Sequence, residues 1–274
     1  MASTYSPYKD KYLVNVPQSS DYTIEDIYYR PYKCFTQGLY FDLQHSTLVE
    51  TCGQEGASKV QRLSIDQEKH QINGEKQTFY KQEYFGEGIA LVDDNNYYAM
   101  TWVNRIALII DRNTLNIVKE EQMPSQIREG WGATNSDQFM YLTDGSNYIH
   151  EVDRSTRKVV RSIYVKTKSG TPISGLNDLA YFKDWQTQNE YAWVNIFTQD
   201  AIIKVDLSTG VIEKRLNLSI LLNVQEQYWR ETNVQRTYYD KANQVLNGIT
   251  YNSREDMFYI TGKEWNFIFK MRLL

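Results

Sequence analysis

Five short apolar runs in this chain each open on a Gly- or Asn-marked turn, and each turn carries a different chemically able side chain. The runs are QGLYFD from Gln37, EGIALVD from Glu87, GWGAT from Gly130, LNDLAYF from Leu176 and LNGITY from Leu246. With Gln37, Glu87, Trp131, Asn177 and Asn247 taken as equivalent, the steps between them are 50, 44, 46 and 70 residues. A period of about 45 residues of strand-type sequence is what one four-stranded propeller blade occupies. Equivalent positions of all blades converge on one axis, so the repeat that sets the fold also marks where a site can be built.

Each marked turn is followed by a second strand: STLVETC, NNYYAMTW, DQFMYLTD, NEYAWVNIF and DMFYITGK. Third strands are predicted in SKVQRLSID, RIALIIDRNT, YIHEVDRST, AIIKVDLSTG and FIFKMRLL. Three of these end in DRNT, DRST or DLST, whose short polar side chains bond their own backbone in tight turns. Fourth strands in QTFYKQEYF, LNIVKEEQM, KVVRSIYV and VIEKRLNLS show the polar alternation of half-exposed outer strands.

The fifth unit lacks a fourth strand, because FIFKMRLL runs to Leu274. The N-terminal stretch supplies it, with YLVNV or YTIEDIYYR as candidates, and this closure removes an exposed sheet edge. The expectation is one all-β domain over residues 1–274, a five-bladed β-propeller of four-stranded antiparallel blades. Residues 1–30 form its N-terminal tail and closing strand. Inserts around Asp184–Glu190 and Gln225–Gln244 read as surface loops, with room for a short helix in LSILLNVQEQYW.

Composition narrows the class. The 22 Tyr and 6 Trp suit strands and aromatic-lined pockets, while only 5 Pro and 14 Gly argue against long disordered linkers. A net charge of −4 with interspersed signs provides no basic patch for nucleic acid. No apolar run approaches the ~18–20 residues of a membrane helix. The start MASTYSPYKDKYLVNV has no apolar core of a secretory leader, so the chain is expected inside the cell as written, or exported if it is a mature form. Cys34 and Cys52 flank the first-blade strands; a disulfide is conceivable, and buried thiols are the expected state.

Standard nucleophile and phosphate motifs are missing: there is no GxSxG, no P-loop, and no GxGxxG leading into a helix. His45, His70 and His150 fall in predicted loops or outer-strand positions without metal-type spacing, which disfavours a histidine zinc site or a triad. What remains is the axial set. Gln37, Glu87, Asn177 and Asn247 begin first strands, while Thr101-Trp102, Asp144, Asn195 and Lys263 lie at second-strand ends. Glu87 stands 14 residues before Thr101 and Asn247 stands 14 before Thr261, so the two levels keep register.

Each of these has a plainer role to set beside a chemical one. Glu87 between two glycines is a solvent-facing turn residue if taken alone; its place in the repeat and its neighbours Phe85, Trp102 and Trp131 favour a pocket. Lys263 in TGKEW is surface lysine by default. Trp102, Trp131 and Trp265 suit core packing as well as substrate walls. Asp144 in TDGSN reads as turn chemistry. Asn247 reads as a partner for inner-strand backbone groups.

Taken in order, FTQGL (Phe35–Leu39), FGEGIA (Phe85–Ala90), Thr101-Trp102, GWG (Gly130–Gly132), TDGS (Thr143–Ser146), LND (Leu176–Asp178), VLNGI (Val245–Ile249) and TGK-W (Thr261–Trp265) form a specific series. The series resembles the plant- and bacterial-type glutaminyl cyclases, five-bladed propellers that convert N-terminal glutamine into pyroglutamate with release of ammonia. The resemblance runs from about Phe35 to the C-terminus. It implies Glu87 as the catalytic glutamate, with Asn177 and Lys263 catalytic beside it. It also implies a substrate pocket of Phe35, Gln37, Trp102, Trp131 and Phe197. The chain departs from the family's pattern in three places: VNIF replaces ANVW, so Phe197 stands for a tryptophan; LNDLAY replaces LNELEY, at Asp178 and Ala180; and TGKEWN replaces TGKxWP.

The resemblance also implies a mechanism. The substrate's α-amine attacks its own side-chain carboxamide, so the enzyme must orient the chain and move protons, without supplying a nucleophile. Glu87 is the expected proton carrier, and Lys263 with Asn177 or Gln37 the expected oxyanion partners. No cofactor is required for this chemistry; a structural calcium or zinc ion stays open. Partners are peptides or proteins beginning with Gln, with no nucleic acid, no membrane and a monomeric state expected. Two other readings fit parts of the pattern. One is a calcium-dependent lactonase-like propeller with Glu87, Asn177 and Asn247 as oxygen ligands; the other is a non-catalytic interaction scaffold.

Overall fold

Along Asn96–Thr101 every residue after the first is buried, but successive residues are buried on opposite sides. Tyr97 and Ala99 join the apolar cluster shared with the preceding strands, whereas Tyr98 and Met100 join the one shared with the following strands. Side chains alternate along a strand, so a strand buried on both faces belongs to a sheet held between two others.

The computed structural model describes residues 7–274 apart from 15, 235–240 and 242. Helix α1 (Lys9–Tyr12) and strand β1 (Tyr22–Tyr29) lead into β2 (Thr36–Asp42), β3 (Thr47–Cys52), β4 (Lys59–Asp66) and β5 (Gln71–Phe79). Next come β6 (Gly86–Leu91), β7 (Asn96–Thr101), β8 (Ile106–Asp111) and β9 (Ile117–Gln122). They are followed by β10 (Ala133–Asn135), β11 (Phe139–Thr143), β12 (Tyr148–Asp153) and β13 (Val159–Tyr164). The chain continues through β14 (Leu176–Lys183), β15 (Glu190–Ile196), β16 (Ala201–Asp206) and β17 (Ile212–Asn217). Helix α2 (Ser219–Glu231) precedes β18 (Leu246–Asn252), β19 (Met257–Gly262) and β20 (Phe267–Leu273).

The fold is all-β with four-stranded antiparallel sheets. Strands β6–β9, β10–β13 and β14–β17 each form one such sheet in sequence order. The remaining strands form an eight-stranded sheet ordered β18-β19-β20-β1-β5-β4-β3-β2. Its two antiparallel halves meet at a parallel bridge between Tyr29 and Gln71. Within one half, β1 runs antiparallel to β20 from Tyr22–Leu273 to Tyr29–Phe267. Of the two closing candidates, YTIEDIYYR therefore pairs with the last strand. The DRNT, DRST and DLST turns form as expected, with Asp111, Asp153 and Asp206 each accepting backbone N–H groups two and three residues on.

Among the described residues the core gathers in five clusters, each spanning a seam between neighbouring sheet units. The seam between the two halves of the long sheet holds Tyr28, Phe41, Tyr259 and Ile268. At the inner edge the marked glycines permit backbone contact. A Cβ on Gly88 would lie 2.4 Å from the Ala133 nitrogen, and one on Gly132 only 2.2 Å from the Asn177 carbonyl oxygen. The repeat is glycine-marked there because successive first strands touch through their main chains.

Four expectations are corrected. The fourth strand of the first unit is Gln71–Phe79, earlier than QTFYKQEYF, because β5 pairs with β4 along its whole length from Asp66–Gln71 to Lys59–Phe79. The insert from Gln225 is not a surface loop at its start. Leu221, Val224, Gln225 and Trp229 are buried on one helical face of α2. There Gln225 Oε1 accepts the N–H groups of Asn266 and Phe267, at 2.8 and 3.1 Å. Residues 235–240 and 242 of that insert, and 1–6 of the tail, lie outside the described residues.

The third correction concerns the cysteines, which are a disulfide and not buried thiols. Pairing of Thr36 with Cys52, and the bond from Gly53 N–H to the Phe35 carbonyl, bring the two Cα atoms to 5.2 Å, within disulfide range. Finally, His150 is buried on β12 and not in an outer position.

Candidate active site

One end of the molecule opens into a cavity of about 630 Å³. Its walls include Phe35, Gln37, Glu87, Trp102, Trp131, Asn177, Phe197 and Lys263, so the residues singled out from the repeat share one space. Each sits at the junction between a first strand and the end of its partner strand. Phe35 accepts from Gly53 N–H, Phe85 from Trp102 N–H and Gly175 from Phe197 N–H, all through backbone carbonyls at 2.8–2.9 Å. Hydroxyls from the preceding unit fix two of the turns. Thr51 Oγ1 donates to the Glu87 carbonyl at 2.5 Å, and Thr143 Oγ1 to the Asn177 carbonyl at 3.0 Å.

Glu87 is only 5% exposed, and its Oε1 accepts a hydrogen bond from Gln37 Nε2 at 3.2 Å. Burial pushes its carboxyl well above the ordinary range. The Lys263 ammonium opposes that rise, while the carboxylates of Asp178 and Glu129 add to it. Lys263, also 5% exposed, is pushed down by burial and held up by Glu87. Desolvation outweighs mutual attraction for both, so burial weakens the charged form of each. The Lys263 Nζ lies 4.8 Å from the Phe35 ring centre and 5.3 Å from that of Phe197, so the rings shield it from water. The Asn177 Oδ1 and Gln37 Oε1 atoms are buried without a hydrogen-bond partner and belong to pocket-lining residues.

Aromatic rings supply the rest. Phe35 meets Phe85 edge-on at 6.4 Å, Phe85 meets Trp102 at 5.9 Å, and Trp131 meets Phe197 at 5.4 Å. Phe197 thus makes the pocket wall as a phenylalanine.

Phe85, expected beside Glu87 but not among the substrate-pocket residues, also lines the cavity; it stands two residues before Glu87 as Phe35 stands two before Gln37, so the repeat carries that signal. Gln54, Glu55, Gln244 and Glu264 also line it from stretches outside the strands, where a polar residue gives no distinguishing pattern. Behind Lys263, the fully buried Arg30 donates to the Trp265 carbonyl at 2.5 Å and the Gly262 carbonyl at 3.1 Å while pairing with Glu50. Arg30 therefore grips the turn that carries Lys263. Asn247 does not reach into the cavity; its Nδ2 donates to the Thr36 carbonyl at 2.9 Å. Asp144 accepts from Ser146 N–H in its own turn at 3.1 Å and also ties that turn to Arg128, whose N–H it accepts at 3.3 Å, and to His150, whose Nε2 lies 3.5 Å away.

Among the described residues, one group of His, Cys, Asp or Glu has metal-ligand spacing: Cys34, Glu50 and Cys52. Its sulfurs form the disulfide and its carboxylate pairs with Arg30, so that donor set does not suit a metal.

Comparison with known proteins bears on the family and the fold. The curated glutaminyl-peptide cyclotransferase of Arabidopsis thaliana is 25% identical over 239 residues, covering 87% of this chain and 67% of that protein. The crystal structure of Myxococcus xanthus glutaminyl cyclase superposes with a TM-score of 0.75 at 21% identity, covering 92% of this chain and 96% of the other, which shows a shared fold. The profile of the glutamine cyclotransferase family matches residues 2–273, and the chain belongs to that family.

Proposed function

We propose that this chain is a glutaminyl cyclase whose chemistry takes place at Glu87, on peptides that begin with glutamine. The observation that carries the assignment of residues is the desolvated Glu87 carboxyl, held by Gln37 inside an aromatic cavity beside Lys263. The substrate's α-amine attacks the carbon of its own side-chain carboxamide, a new C–N bond forms, and the former amide nitrogen leaves as ammonia. Glu87 takes a proton from the attacking amine and returns it to the departing nitrogen, a role that needs a carboxyl with raised proton affinity. Lys263 faces the carboxamide oxygen as negative charge develops there. Asn177 holds the carboxamide, and Gln37 orients Glu87. The aromatic rings keep the glutamine side chain curled and exclude the water that would hydrolyse it.

The sheet arrangement supports a five-bladed propeller in which β1 completes the last blade, forming one domain. We read the catalytic step as independent of metal and the protein as a monomer that does not engage nucleic acid. Incubation with a Gln-initiated peptide, with and without chelator, tests this reading. The expected result is loss of the mass of ammonia in both arms. Activity abolished by chelator would favour the calcium-dependent alternative, and no reaction in either arm would favour a binding scaffold.

A further inference from the structure

The aromatic lining of the cavity consists of two separate arms. One runs Phe35, Phe85, Trp102, and the other runs Trp131, Phe197. On one side their ends meet at Lys263, whose Nζ lies over both Phe35 and Phe197. On the other side they meet at a single carboxylate oxygen. Glu129 Oε2 accepts the indole N–H of Trp102 at 2.5 Å and that of Trp131 at 3.0 Å. The two indoles come from different sheet units: Trp102 follows β7 and Trp131 precedes β10. Trp102 is 41% exposed, so burial alone does not fix its ring. A charged acceptor shared by two donors is the kind of contact that holds two side chains in one geometry.

We infer that Glu129 is a positioning residue of this pocket: it clamps two tryptophans from neighbouring sheets at a fixed separation and forms a negative pole opposite Lys263. A glutamine substrate then enters with its carboxamide oxygen toward Lys263 and its α-amine toward the acidic side. Glu129 does not line the cavity itself and acts through the two rings. The inference rests on the pocket being the cyclisation site.

The test uses the full chain with nitrogen-15-labelled indoles, the Trp102 and Trp131 signals being assigned with Trp102→Phe and Trp131→Phe. In Glu129→Ala both indole N–H signals should move upfield and exchange faster, and kcat/KM on a Gln-initiated peptide should fall roughly tenfold to a hundredfold, as expected for misplaced substrate walls. Glu129→Gln keeps an oxygen acceptor without the charge, so it should restore the indole signals and most of KM. It should also move the acid limb of kcat/KM to lower pH. The charged groups acting on Glu87 are Lys263, Asp178 and Glu129, and this substitution removes one of the two that raise it.

Unmoved indole signals, or kinetic constants of Glu129→Ala within about twofold of wild type, overturn the inference. Should Glu129→Ala fail to fold, Glu129→Gln decides through the indole signals and the acid limb together. A wild-type protein that releases no ammonia contradicts the assigned function, whereas the indole signals report on the clamp regardless.

Discussion

The turns around Glu87 and Asn247 occupy the same place in the repeat and have different jobs. Each begins a first strand, each is followed by glycine, and each side chain is buried near the inner edge. Asn247 turns its amide onto the Thr36 and Gln37 carbonyls of the next unit, at 2.9 and 3.3 Å. At Glu87 the corresponding carbonyl of the next unit, that of Trp131, already accepts from Gly88 N–H at 2.6 Å, and the Glu87 carboxyl lines the cavity. A repeat position thus specifies where a side chain sits. Whether it becomes a brace or faces the cavity depends on whether a neighbour has already satisfied the backbone.

This contrast can be broken by substitution. Glu87→Gln keeps size and hydrogen bonding and should reduce kcat by about 10²–10⁴ with the fold intact by circular dichroism. Lys263→Ala should reduce kcat by about 10²–10³ with little change in KM, read from steady-state cyclisation of a Gln-initiated peptide. An effect on KM alone would make Lys263 a binding residue only. Asn247→Ala should show the opposite profile: a loss of about 1–3 kcal/mol in urea unfolding from the orphaned carbonyls, with kcat of the folded protein near wild type. If Asn247→Ala instead removed turnover without affecting stability, the division of labour between the two turns would be wrong.

Much of the fold was legible because propeller-like strands announce themselves through alternation, and the marked glycines record main-chain contact that no other residue allows. The pocket positions were legible for the same reason, since equivalent turns converge. Other features depended on register or on distant partners. The Cys34–Cys52 bridge needs the Thr36–Cys52 pairing, which two cysteines in a sequence do not reveal. Arg30 and Glu50 look like surface charges until β1 is placed beside β20 and their side chains meet inside. Glu129 reads as a solvated acid ahead of GWG, because its meaning lies in two indoles that only the assembled sheets bring together. The stretch of α2 reads as a short helix within an insert, but its docking depends on Gln225 meeting the Asn266 and Phe267 amides.

In the proposed mechanism Glu87 is a desolvated carboxyl whose proton affinity burial raises above that of an ordinary glutamate. In that mechanism the base form of Glu87 must be present for turnover, so a raised proton affinity places the acid limb of kcat/KM at correspondingly higher pH, with activity lost as pH falls through it. Carbon-13 detection of the glutamate side-chain carboxyls, with Glu87→Gln to assign the signal, measures that affinity directly. The expected result is titration well above the value of about 4.3 for an unperturbed glutamate. Titration at or below that value would contradict the account, because such a carboxylate would not hold the proton that departing ammonia requires.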